Sequence, residues 1–110
     1  MRTFVILCAL FVAACGGHDE GDIDDVVGAA CATDRDCESR CYLGGEFPGG
    51  FCSLPCASDN DCPGDTYCMR EGGGVCMFAC PAFECSRLGQ GWQCRDRDRQ
   101  NGGSINVCSG

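Results

Sequence analysis

Apolar positions in this chain fall into two regimes. Residues 4–14, FVILCALFVAA, form one uninterrupted apolar run behind a single basic residue, Arg2. A membrane-spanning helix needs about 20 apolar residues. This run is shorter and stops at small residues, which is how an export signal ends. Cys8 lies inside it and is discarded with it. Residues 16–30, GGHDEGDIDDVVGAA, carry five acids between Asp19 and Asp25 with glycines on either side. High charge with few aromatics predicts a flexible, solvated tether. Beyond Ala30, Leu, Ile and Val are scarce: Leu43, Leu54, Leu88, Ile105, Val75 and Val107. So small a set is not expected to fill a conventional core.

What punctuates the second regime is cysteine. Twelve of the fourteen cysteines fall between Cys31 and Cys108. They form three blocks of four, residues 31–52, 56–76 and 80–108, with three-residue joints between them. The first two blocks open almost identically, Cys-Ala-Thr-Asp-Arg-Asp-Cys and Cys-Ala-Ser-Asp-Asn-Asp-Cys. The third is degenerate at its opening and longer at its end. The last two cysteines of every block flank a turn: two Gly pairs around Pro48, then Glu71-Gly72-Gly73-Gly74, then Asn101-Gly102-Gly103. The pattern predicts three short hairpins, with strands near 40–43 and 51–53, 66–70 and 74–78, and 91–97 and 104–108. The openings are expected to hold Asp-rich turns or a single helical turn, with Thr33 or Ser58 as N-cap. The expected fold class is a small disulfide-rich protein of three tandem four-cysteine modules, with little regular secondary structure.

A cysteine share above about 8–10% in a short exported chain marks a disulfide scaffold, in which bridges replace the missing core. Closing each block on itself leaves three pairings per block. The nested arrangement, first with third and second with fourth, gives Cys31–Cys41, Cys37–Cys52, Cys56–Cys68, Cys62–Cys76, Cys80–Cys94 and Cys85–Cys108. Structural zinc favours cysteine pairs two to four residues apart, with Cys-x2-Cys commonest, and no Cys-x2-Cys occurs here. No metal or cofactor is expected.

The formal charge is −8, with no Lys, and losing Arg2 with the leader makes it one unit more negative. An acidic chain repels phosphate backbones, so nucleic acid is not an expected partner. The Asp pairs Asp34/Asp36, Asp59/Asp61 and Asp96/Asp98 could hold calcium, but two carboxylates per loop fall short of the six or more oxygens required. They read instead as Asx turns that fix the bends. His18, the one histidine, sits in the tether without a cysteine or histidine partner at metal-ligand spacing. No Ser-His-Asp or Cys-His set can be built on it, so no catalytic site is expected.

Val12-Ala13-Ala14-Cys15 resembles the bacterial lipobox: an aliphatic residue, two small residues, then the cysteine to be modified. The resemblance implies a lipoprotein signal peptide at 1–14, with diacylglyceryl on the Cys15 thiol, cleavage before it and acylation of the new amino terminus. Gly16 after Cys15, rather than Asp, implies outer-membrane sorting in that family. Residues 56–80, CASDNDCPGDTYCMREGGGVCMFAC, resemble the latter part of the whey acidic protein four-disulfide core. They are also similar to colipase-like, Dickkopf-type modules and to the repeats of bacterial cysteine-rich lipoproteins. The whey acidic family has adjacent cysteines where this chain has only Cys68 before Met69, and its inhibitory segment has no counterpart here. Its pairing would join Cys62 to Cys80.

Aromatics beside the cysteines, Tyr42, Tyr67, Phe78, Phe83 and Trp92, are expected to pack over the sulfurs. Phe47, at the tip of the loop Gly44-Gly45-Glu46-Phe47-Pro48-Gly49-Gly50, is expected to project outward as a contact residue, the alternative being that it folds back to cover a disulfide. The run Arg95-Asp96-Arg97-Asp98-Arg99 reads as a solvated edge strand or a rim for a charged partner. The sequence thus points to a non-enzymatic, exported protein of the cell envelope, lipid-anchored in the outer membrane and carrying a disulfide-stabilised interaction or structural module of unspecified partner. The alternative is a small secreted inhibitor- or toxin-like protein.

Overall fold

The computed structural model describes residues 23–110. The leader, Cys15 and His18 lie outside the described residues. Three antiparallel hairpins follow one another: β1 (Arg40–Tyr42) with β2 (Phe51–Ser53), β3 (Thr66–Met69) with β4 (Val75–Phe78), and β5 (Gln93–Asp98) with β6 (Ser104–Ser109). Single 3-10 turns at Asp34–Asp36, Asp59–Asp61, Glu71–Gly73 and Cys85–Leu88 complete the regular structure. The strands fall where the Gly-rich turns and cysteine positions put them, within a few residues.

All six bridges close within their modules: Cys31–Cys41, Cys37–Cys52, Cys56–Cys68, Cys62–Cys76, Cys80–Cys94 and Cys85–Cys108. The Cys62–Cys80 pairing implied by the whey acidic resemblance is not formed. In every hairpin the third and fourth cysteines of the module are direct cross-strand neighbours: Cys41 opposite Cys52, Cys68 opposite Cys76, Cys94 opposite Cys108. Opposed residues share a face of the hairpin. Both sulfurs therefore point to one side, where the opening segment supplies their partners.

Backbone hydrogen bonds join the hairpins in series. Cys56 N donates to Gly74 O and Cys76 N to Leu54 O, which lays the first joint along β4. Arg70 N donates to Asp98 O, Gln100 N to Cys68 O, and Cys80 N to Asn106 O, which tie module three to module two. A buried Ser53 hydroxyl adds a 2.6 Å bond to Cys76 O.

These contacts produce what the aliphatic count does not predict, one continuous core through all three modules. Phe47, Phe51, Met69, Val75, Met77, Phe78, Phe83, Trp92 and Val107 are all buried, together with the cystines. Aromatics and methionine do the filling that Leu and Ile usually do, and each aromatic buries far more area per residue. All four residues of β4 are buried, so this strand lies covered on both faces, whereas β5 is largely exposed.

The expected tether, residues 15–30, is also shorter than its composition implies. Val27 is buried, and Ile23 and Val26 pack against the core. Gly28 N donates to Cys52 O and Cys52 N to Ala29 O, so this segment lines the free edge of β2. The Asp24 carboxylate accepts from the amides of Val26 and Val27 and folds the segment into a turn. Three apolar side chains among the acids outweigh the disordering effect of charge.

Gly50 and Gly74 hold the same place in two modules, two residues before the fourth cysteine. Both have positive φ, and an added Cβ would collide with the carbonyl of the module's first cysteine, Cys31 or Cys56. Gly50→Ala and Gly74→Ala should each destabilise by about 2 kcal/mol or more in chemical denaturation, whereas Gly103→Ala, also at positive φ but with open space around it, should lose about 1 kcal/mol.

Candidate functional site

The opening turns of modules one and two are superposable in their chemistry. Asp36 Oδ2 accepts from the amides of Ala32 and Thr33, at 2.9 and 3.1 Å. Asp61 Oδ2 accepts from those of Ala57 and Ser58 in the same way. The other member of each pair reaches across to the hairpin: Asp34 Oδ1 accepts from Cys41 N, and Asp59 Oδ1 from Cys68 N, both at 2.8 Å. Donation by Ala32, and then by Thr33, favours the charged form and holds the Asp36 carboxyl below its ordinary value. Each of these four carboxylates is thus engaged in fixing a turn. Thr33 and Ser58 take the N-cap positions of the two 3-10 turns. The third pair differs: Asp96 and Asp98 lie on β5, not in an opening loop.

Sulfur clusters follow from the bridging. Cys31, Cys37 and Cys41 gather their Sγ atoms within 4.8 Å, as do Cys56, Cys62 and Cys76, and Cys80, Cys85 and Cys108. Every one of these sulfurs is already bonded to another. A disulfide sulfur is not a thiolate, so the proximity reflects two stacked bridges per module.

Phe47 is not an exposed contact residue. It is 4% exposed, stacked on Phe51 at 5.9 Å between ring centroids and set edge-on to Trp92 at 6.5 Å. Its loop is clamped by module three. The Trp92 indole N–H donates to Pro48 O at 2.9 Å, and Gly110 N donates to Glu46 O at 2.9 Å. Those partners lie more than forty residues away in sequence, which is why the loop read in isolation looks free. The residue that does project is Leu43, 60% exposed, just before the loop's first glycine pair. Its neighbour Tyr42 faces inward, and burial raises its phenol above the ordinary value. Strand alternation between Tyr42 and Leu43 is the sequence signal that could have placed them.

Arg95 to Arg99 is only partly a solvated edge. Arg97 Nε lies 3.5 Å from Glu71 Oε2, and its guanidinium also donates to Gly110 O. Arg99 pairs with Asp59 and lies over the Tyr67 ring. Two of the three arginines therefore bind module three to module two. Arg95 stays exposed. Phe78, Phe83 and Trp92 are buried, with Phe83 stacked on Phe78 at 4.0 Å and Arg87 over the Phe83 ring. Tyr67 is partly exposed, at 38%. A shallow open cleft of about 290 Å³ lies in module three against Cys80 and Cys94. Among the described residues, no helix is long and apolar enough to cross a membrane.

Comparison with protein-family models, with curated proteins and with solved structures finds no match.

Phe47 and Leu43 should separate cleanly on substitution. Phe47→Ala should lower stability by about 3 kcal/mol, while Leu43→Ser should change it by less than about 0.5 kcal/mol, both read from denaturant midpoints.

Proposed function

We propose that this chain is an exported, non-enzymatic protein, held to the cell envelope by lipid on Cys15 and presenting a rigid interaction or structural module. The observation that carries the reading is the architecture itself, three doubly bridged modules around one aromatic core. Six disulfides fit an oxidising compartment outside the cytosol. Loops clamped at their bases, with side chains such as Leu43 outside, present a contact surface at small entropic cost.

The anchor is supported by the leader and by the lipobox resemblance of Val12-Ala13-Ala14-Cys15. From Cys15 to the docked Ile23 there are only eight steps of chain, which span at most about 29 Å. The domain would then stay close to the bilayer surface. Its acidity opposes electrostatic attachment to anionic lipid, so the acyl chains would supply the affinity, at ~0.8 kcal/mol per buried CH2.

The full-length protein, expressed in a bacterial host fed an alkyne fatty acid, should incorporate label and require detergent for extraction. Cys15→Ser should remove both properties. An exported wild-type protein that takes up no label would contradict the anchor.

A further inference from the structure

We propose that the Cys80–Cys94 bridge is a site of reversible thiol–disulfide exchange, at which a low-molecular-weight thiol becomes covalently attached to Cys94. This goes beyond the scaffold role, under which all six bridges are structural.

Three observations converge on this bridge. First, Cys94 is exposed, and it is the only one of the twelve bridged cysteines that is. Its counterparts are covered: Cys68, the third cysteine of module two, is 1% exposed, and Cys41 is half-buried. Second, the difference has a structural origin. In modules one and two the opening turn folds over the third cysteine, with Asp34 accepting from Cys41 N and Asp59 from Cys68 N. The module-three opening, Cys80-Pro81-Ala82-Phe83-Glu84-Cys85, is one residue shorter and has no Asp. It cannot make that cap. Third, the uncovered region is a cleft of about 290 Å³ whose wall includes Cys80, Cys94, Pro81, Glu84 and Ser86. It is open to solvent and near the lower end of the size range for small-molecule sites.

The exchange balances without an external oxidant or reductant. A thiolate entering the open cleft that Cys80 and Cys94 line attacks Cys94 Sγ. A new S–S bond forms between the incoming sulfur and Cys94 as the Cys80–Cys94 bond breaks. The electron pair leaves on Cys80 Sγ, which takes a proton from solvent. Cys80 is the buried half of the bridge, at 9% exposure, and it stays beside its former partner's strand. Deprotonated again, it attacks Cys94 and expels the thiol, which restores the bridge.

Module three has the means to survive the opening. Cys85–Cys108 still fastens the opening segment to β6. Cys80 N still donates to Asn106 O, and Phe83 still stacks on Phe78. The other exchange partners within reach are the sulfurs of Cys85 and Cys108, within 4.8 Å of Cys80 Sγ. Both belong to the bridge that must hold.

The test uses the oxidised full-length protein with reduced glutathione at neutral pH and no denaturant. Samples are quenched in acid, free thiols are alkylated after quenching, and each bridge is quantified by peptide mass spectrometry. The first product should carry one glutathione on Cys94 and one free thiol at Cys80. It should form roughly tenfold faster than any other opening, with a rate unchanged by low urea, because Cys94 is exposed and lines an open cleft in the native state. First opening of another bridge, an adduct on Cys80 instead of Cys94, or simultaneous opening of several bridges at a rate that rises with urea would overturn the proposal.

Discussion

Everything in this structure depends on one geometric constraint, repeated three times. Two cysteines face each other directly across a hairpin, and neither bonds to the other. Both reach to the same side and bond to a short opening segment. An isolated two-stranded hairpin is marginal in water. Pinning its two strands to a common third segment removes much of the freedom of the open chain, by about 3 kcal/mol per loop of ~15 residues in the chain-entropy model. The separations here, 10 to 23 residues, lie in that range. Glycines two residues before the fourth cysteine let the opening segment approach β2 and β4 without a side chain between them.

Once the hairpins are fixed, a few aromatic and sulfur-containing side chains suffice to join them. Phe51 meets Trp92 at 5.1 Å and Phe78 at 6.3 Å, and Met69 and Val75 belong to the same core, so residues from all three modules share one cluster. The arginines of β5 add polar ties to Glu71 and Asp59 at its edge. Both pairs are half-buried at the protein's edge, and near-surface pairs contribute modestly individually. Their role is orientation, since module three has no other charged contact with module two among the ion pairs of the described residues.

Local features were legible in the sequence and long-range ones were not. Asn101-Gly102-Gly103 and the Gly-rich runs carry their turn chemistry with them, so the three hairpins are legible from these motifs and the cysteine spacing. The repeated Asp-x-Asp likewise carries its own explanation, because its hydrogen bonds run to amides a few residues away or to the bridged third cysteine. A local reading misses how Phe47 packs because the partners of its loop, Trp92 and Gly110, lie far along the chain. Residues 23–29 read as tether because they continue the run of five acids from Asp19 to Asp25, whereas Val26, Val27 and the Asp24 turn decide their placement. The degenerate third opening was visible as a missing residue and a missing Asp. Its consequence, an uncovered Cys94, needed the hairpin geometry.

The central claim is that each module is closed on itself, first cysteine to third and second to fourth. Disulfide mapping tests it most directly: digestion of the native, unreduced protein, followed by mass spectrometry of the linked peptides. The account predicts six intramodule bridges, with Cys62 linked to Cys76 and Cys80 to Cys94. A Cys62–Cys80 link, or any stoichiometric free thiol among the twelve, would contradict it.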